Sequence, residues 1–178
     1  DAEKRVVIVF RPVRILRTLR SDFGDKWPNG FLRWICYLFH HLVQDPQVQV
    51  CGVMMLASFA ELSFWECVQF SNVLSIAERK IMMTHMQVAG IRIKGMHIFE
   101  EPALLTALFF IIKGFLSEKI AARMALHGDD YSIVQREIAG YEGLPVLFGG
   151  KLDDSKAVKE NSRQSFGAVY NPEFQWDP

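Results

Sequence analysis

An α/β fold, a sheet with helices packed on it, is what this 178-residue chain predicts. Three observations carry that reading. Arg5-Val-Val-Ile-Val-Phe10 is a β-branched run of buried-strand type. Ile91 to Ile98 alternates apolar and polar residues at the strand period, and Phe31 to Gln44 repeats apolar residues at helical spacing. Hydrophobic residues make up 50% of the chain and aromatic residues 12%, which is ample for one core.

The elements follow in order. The first strand ends at Pro12, and the basic stretch holding Gly24, Pro28 and Gly30 reads as irregular. The helix from Phe31 places Leu32, Ile35, Cys36, Phe39, Leu42 and Val43 on one side and stops before Pro46. Gln49 to Phe59 reads as a second strand interrupted at Gly52. Leu74 to Met86 reads as a helix with Ile76, Ala77, Ile81 and Met82 inward. After the strand at 91–98, Pro102 suits the first turn of a helix that stays apolar to Ile112. Ser117 to Gly128 reads as a helix with a serine N-cap, Glu118 in its first turn and a glycine stop. The composition turns polar beyond Gly150. Residues 1–150 are therefore expected to form one domain and 151–178 a polar, peripheral tail.

Composition excludes several classes. Twenty basic residues balance twenty acidic ones, so binding of nucleic acid through bulk positive charge is not expected. Cys36, Cys51 and Cys67 form no CxxC pair and one is left over in any disulfide scheme, which favours a reducing, intracellular setting. The longest apolar stretch, Ala103 to Ile112, is shorter than the ~18–20 residues that span a bilayer, and no signal peptide opens the chain.

The candidate chemistry is sparse. His40, His41, His85, His97 and His127 come without an HExxH motif, zinc spacing or nucleophile elbow, and read as structural or surface residues. Gly149-Gly150 lacks the Lys-Ser/Thr of a phosphate loop and reads as a turn. Glu100-Glu101 precedes a helix start, where capping and dipole complementarity account for it. No catalytic constellation, metal site or cofactor motif emerges, so an enzyme is not expected. Two features stand out instead. Ala103–Ile112 is apolar almost all round, which calls for burial on every side or a non-aqueous neighbour. Arg92, Lys94, Lys113, Lys119 and Arg123 form a basic set beside it, an arrangement that an anionic membrane surface attracts.

The series Ile91-Arg-Ile-Lys-Gly-Met-His-Ile-Phe-Glu-Glu-Pro102, Ile112-Lys-Gly-Phe-Leu-Ser-Glu-Lys-Ile-Ala-Ala-Arg123, His127-Gly128 and Leu144-Pro-Val-Leu-Phe-Gly-Gly150 resembles the CRAL-TRIO lipid-binding domain. The likeness is to its alpha-tocopherol transfer protein and retinaldehyde-binding protein branch. It is specific over 91–150 and weaker but collinear over 5–90. The resemblance implies a mostly parallel sheet as the floor of an apolar ligand cavity, helices around it, and a mobile gate helix over Pro102–Lys113. It implies a cytoplasmic carrier of a small hydrophobic lipid (tocopherol, retinoid or phospholipid), monomeric, unloading at phosphoinositide-containing membranes. The family's headgroup positions fall on Arg92, Lys94, Lys119 and Arg123, all cationic here. Departures are Ser58 where the family has Asp, Glu100 where it has Asn, and Gly90 and Gly114 where it has Pro. Ala57 and Ala89 stand where the tocopherol branch has large aromatics, and the family's N-terminal helical region has no counterpart in these residues.

On that frame the expected cavity walls are Leu32, Ile35 and Phe39 from the first helix and Val53, Met55 and Ala57 from the central strand. Ile81, Thr84, His85, Ala89, Ile91 and Met96 would complete them, with Thr84 and His85 orienting a polar headgroup. Leu104, Leu108 and Ile111 share a face of the gate and, with Phe64 and Val68, are the expected membrane contacts. The alternative reading is a regulatory or scaffold domain that binds phosphoinositide or a protein partner without transferring lipid.

Overall fold

The computed structural model describes residues 5–137 and 144–153. Strands β1 (Val6–Phe10), β2 (Val53–Ser58), β3 (Ile93–Phe99) and β4 (Met124–Leu126) form one sheet in that spatial order, every pair parallel. Helices α1 (Pro12–Phe23), α2 (Trp27–Gln44) and α3 (Pro46–Cys51) lie between β1 and β2; α4 (Phe64–Asn72) and α5 (Ile76–Val88) lie between β2 and β3. Helices α6 (Ala103–Lys113) and α7 (Glu118–Ala121) precede β4, and α8 (Ser132–Glu137) follows it.

The two-residue strand period sorts the core onto two faces. Val53 and Met55 belong to a cluster with Ile93 and with Phe31 and Phe39 of α2, Met82 and Met83 of α5. Met54 and Leu56 point the other way, to Phe99, Val134, Leu144 and Phe148. A register shift between Val53 and Met54 lets β3 start with Ile93 inward and still present Met96 and Ile98 on the first face. On the second face His97 Nδ1 and His127 Nε2 lie 2.9 Å apart, joining β3 to the segment after β4.

Three expectations are corrected. The stretch after Pro12 is not irregular: Pro12 opens α1, with Val13, Leu16 and Leu19 buried at helical spacing among the arginines, Gly24 caps its end, and Pro28 and Gly30 lie at the start of α2. Residues 49–52 are not strand. Asp45 Oδ1 accepts the Gln47 backbone N–H at 2.7 Å and caps α3, which ends only at Gly52. The helix expected over 117–128 survives as one turn, without a side-chain cap from Ser117, and then becomes β4. Met96 N–H donates to Arg123 C=O at 2.8 Å and His127 N–H to Ile98 C=O at 2.9 Å, so pairing with the exposed edge of β3 overrides local helix propensity.

Helices α4 and α5 begin with Ser63–Glu66 and Ser75–Glu78 capping boxes. Arg17 of α1 grips Glu66 with two donors, Nε to Oε1 at 2.7 Å and Nη2 to Oε2 at 3.2 Å. That grip and the Ser63 hydrogen bonds hold the Glu66 carboxyl at about 2, well below its ordinary value. In α5 the buried residues are Arg79, Met82 and Met83, while Ile76 and Ala77 are exposed, contrary to the expected inward face. Arg79 donates to the Ser71 carbonyl, which anchors α5 to the end of α4.

Candidate functional site

Strands β3 and β4 carry the floor of a cavity of about 150 Å³, built from Met96, Ile98, Met124 and Leu126. These four alternate with residues of the opposite face, and the register Met96↔Met124, Ile98↔Leu126 sets them side by side. Helix α6 is the roof. Leu105, Leu108, Phe109 and Ile112 line the cavity at i, i+3, i+4 and i+7, one face of a helix. Phe59, Phe70 of α4 and Met83 of α5 close the sides. Glu101, between β3 and α6, is the twelfth lining residue and the one with a charged group.

A larger hollow of about 290 Å³ lies at the free edge of β1, between Phe10, Trp34 and the arginines Arg11 and Arg14. The cavity under α6 is the better ligand site. It is walled by sheet, roof and side helices together, and its lining is apolar but for one group.

The opposite side of α6 is bare. Phe110 is 64% exposed and Ile111 49%, and Leu104 is also exposed; on neighbouring α4, Phe64 and Trp65 are exposed at 70% and 72%. The helix expected to be buried all round therefore buries Leu105 and Phe109 and shows an apolar outer face. Of the residues expected at the membrane, Phe64, Leu104 and Ile111 lie on this outer surface; Val68 is half-buried and Leu108 turns into the cavity. Among the described residues no helix is long and apolar enough to cross a membrane.

The expected cavity residues divide three ways. Met96 lines the cavity. Phe39, Val53, Met55 and Ile91 are buried in the main core, with Leu32, Ile35 and Ala89 packed against them, and Ala57 is half-buried in β2. Ile81, Thr84 and His85 do not face inward; they are exposed, because α5 turns Met82 and Met83 to the core instead. Sequence reasoning missed Met124 and Leu126 because it read them as helix, and missed Glu101 because it assigned the acidic pair to a helix end.

Neither glutamate caps α6, whose N-cap, Pro102, makes no side-chain cap bond. Glu100 Oε1 accepts the Tyr131 hydroxyl at 2.6 Å and its Oε2 accepts Ser58 Oγ at 3.5 Å. Burial and the Glu100 carboxylate together push the Tyr131 phenol well above its ordinary value. Glu101 Oε1 accepts the Gly128 backbone N–H at 3.4 Å.

The basic set gathers at the N-terminal ends of β3 and β4. Arg92 and Lys94 are exposed at the start of β3, and Lys119 is exposed on α7. Arg123, just ahead of β4, is half-buried; its Nη1 donates to the Ile93 carbonyl at 2.5 Å, while Arg92 Nη1 donates to the Val50 carbonyl at 3.1 Å. Lys113 stands apart, over the Phe109 ring at 5.5 Å.

Residues 1–150 match the family model described as the CRAL/TRIO domain. The chain is 31% identical over 144 residues to the mouse protein named alpha-tocopherol transfer protein-like, covering 78% of this chain and 41% of that one. It is 29% identical over 132 residues to rat clavesin-1 (72% and 36% covered) and 29% over 137 residues to mouse clavesin-2 (73% and 40%). The chain thus spans about two fifths of the length of the curated relatives it matches. The parallel sheet, the apolar roof helix over its face and the match across residues 1–150 agree: this chain belongs to the CRAL/TRIO domain family.

Proposed function

We propose that this chain binds a small hydrophobic lipid of tocopherol, retinoid or phospholipid type in the cavity beneath α6 and transfers it between membranes. The observation that carries this reading is one helix with two apolar faces, Leu105, Leu108, Phe109 and Ile112 over a cavity and Leu104, Phe110 and Ile111 toward solvent. The same helix can roof a ligand and touch a bilayer. Burying roughly 300 Å² of apolar ligand surface is worth about 7 kcal/mol at ~25 cal/mol per Å², before the losses of association. Binding of this kind needs no bond made or broken.

The cavity of about 150 Å³ is smaller than the ~300–1,000 Å³ of ordinary ligand pockets, so loading requires it to widen. Three of its walls are methionines, Met83, Met96 and Met124, whose unbranched side chains repack readily. Outward movement of α6 as a gate supplies the rest. Arg92, Lys94, Lys119 and Arg123 are read as the phosphoinositide headgroup site, where binding biases the gate open and couples release to the target membrane. The protein would act as a monomer in the cytoplasm, with peripheral membrane association, and residues 1–150 are the unit that does so.

Native mass spectrometry with solvent extraction, on protein purified from a eukaryotic host, tests the reading. A stoichiometric hydrophobic molecule, or uptake of a retinoid, tocopherol or phospholipid from vesicles, is the expected result. An empty chain that takes up none of them overturns it. A second reading is favoured by the outer stripe of α5, where Ala77, Ile81, Thr84 and Val88 are exposed together at helical spacing. There the domain docks a protein partner without carrying lipid, and the empty outcome would support it.

A further inference from the structure

Eleven of the twelve residues lining the cavity under α6 are apolar, and the twelfth is Glu101. Its two carboxylate oxygens are not equivalent. Oε1 accepts the Gly128 backbone N–H at 3.4 Å, which ties the group to the loop after β4. Oε2 is buried and, among the described residues, has no hydrogen-bond partner. A buried polar oxygen left without a donor is costly, more so when it carries charge, and native folds leave few of them unexplained. Glu101 sits directly before Pro102, at the N-terminal end of the eleven-residue helix α6, where the helix dipole favours an acidic group.

We infer that Glu101 is the polar anchor of the ligand, its Oε2 accepting a hydrogen bond from a hydroxyl or N–H on an otherwise apolar molecule. The inference rests on the lipid-carrier reading and narrows it. A carboxylate has only lone pairs to offer, so it selects a donor-bearing head such as an alcohol, a phenol or an amine. It gives nothing to an ester or ether, and it repels a fatty acid or any other lipid anion brought into the same low-dielectric space. Thr84 and His85, expected to orient the headgroup, are exposed on α5 and are absent from the cavity lining. The specificity of the cavity therefore lies at the joint between β3 and α6. That position has a further consequence: a ligand held at Glu101 is attached to the base of the helix that must move for it to leave.

The test uses the chain as it stands and two matched probe sets, one flexible and one rigid. These are dodecan-1-ol, dodecyl methyl ether and dodecanoic acid, and retinol, retinyl acetate and retinoic acid. Each competes at pH 7 against Nile red, a neutral probe with no donor. The alcohol of a set is expected to bind at least about tenfold more tightly than its ether or ester, and the acid most weakly. Glu101→Leu should abolish the advantage of the alcohol over its ether or ester, and its far-UV circular dichroism and urea midpoint show that the variant is folded. Glu101→Gln, whose amide still accepts, should retain part of the advantage and admit the acid. Wild-type binding that is equal across a set, or an unchanged ranking in either variant, overturns the anchor and leaves the carrier reading standing; the oxygen would then be met by water alone. Failure of every probe to bind the wild-type chain overturns the carrier reading and the anchor with it.

Discussion

Gly52 is the residue at which the sheet is most exposed to a single methyl group. It ends α3 and opens β2 with φ +84° and ψ −175°, a region that only glycine populates readily and that costs other residues about 1–3 kcal/mol. A Cβ built there would lie 2.4 Å from the Arg92 carbonyl oxygen and 3.0 Å from Lys94 Cγ. The lysine can swing away; the carbonyl cannot, because it accepts the Val53 N–H at 2.9 Å. The Gly52 carbonyl also accepts the Val6 N–H at 3.2 Å, so a shift of this peptide loosens the ladder on both sides of β2. Losing those two bonds at ~1 kcal/mol each brings the expected cost of Gly52→Ala to roughly 3–5 kcal/mol. With a urea m-value of about 2 kcal/mol/M, the unfolding midpoint should fall by about 1.5–2.5 M. Gly90→Ala is the control. Its φ is also positive, at +75°, yet a Cβ there meets nothing within 4 Å, so it should lose only about 1–2 kcal/mol. Equal midpoints for the two variants would refute the steric account of the β2 start.

Two further outcomes follow from charge. Arg92→Ala with Lys119→Ala removes two exposed cations of the basic set, and should weaken sedimentation with phosphoinositide-containing liposomes at least about fivefold while leaving lipid uptake in solution intact; unchanged sedimentation sinks the headgroup assignment. Glu66 has its folded-state value lowered to about 2, so its pairing with Arg17 contributes stability above about pH 4.5 and loses it as pH falls toward 2. Because Arg17 is 59% exposed, solvent screening keeps that contribution small. Urea midpoints of wild type and Arg17→Met should differ at pH 6 and converge only as pH falls below about 2, and a constant gap would contradict the linkage.

The fold was legible wherever period and punctuation agreed. β1, β3, the body of α2 and the apolar helix α6 were all visible, and the motif series over 91–150 carried the family. What was missed has identifiable causes. Helix α1 interleaves Val13, Leu16 and Leu19 with arginines whose partners, Glu66 and Gln69 for Arg17 and Arg20, are far along the chain. β4 is three residues of good helix former, recruited by the free edge of β3. α5 shows Ile76 and Ile81 outward because Arg79 is drawn inward to a carbonyl, and no apolar count along a helix anticipates that. The departures from the family pattern are more instructive. At Gly90 the positive φ is one that proline's ring forbids, so the turn into β3 has its own conformation here. Gly114 has a proline-compatible φ of −66°, but its N–H donates to the Phe110 and Ile111 carbonyls, bonds that proline could not make.

Ser58 and Glu100 were noted as separate departures, in motifs 42 positions apart, and the structure makes them one. Where the resemblance sets Asp at the end of the central strand and Asn before the gate, this chain carries the carboxylate on the other partner, and the two side chains still meet at 3.5 Å. The exchange moves the negative charge from β2 to the end of β3, where Tyr131 donates to it. Glu100 also adopts a positive φ of 54°, unusual for a non-glycine residue, and its N–H donates to Gly128 C=O at 2.7 Å. The same glycine donates to Glu101. The joint between β3 and α6 is therefore held by both carboxylates, Glu100 bonded to Ser58 and Tyr131, and Glu101, a cavity-lining residue, bonded to Gly128. On the proposed carrier reading, this bonded joint is the root about which α6 would move, and Glu101 stands at that root.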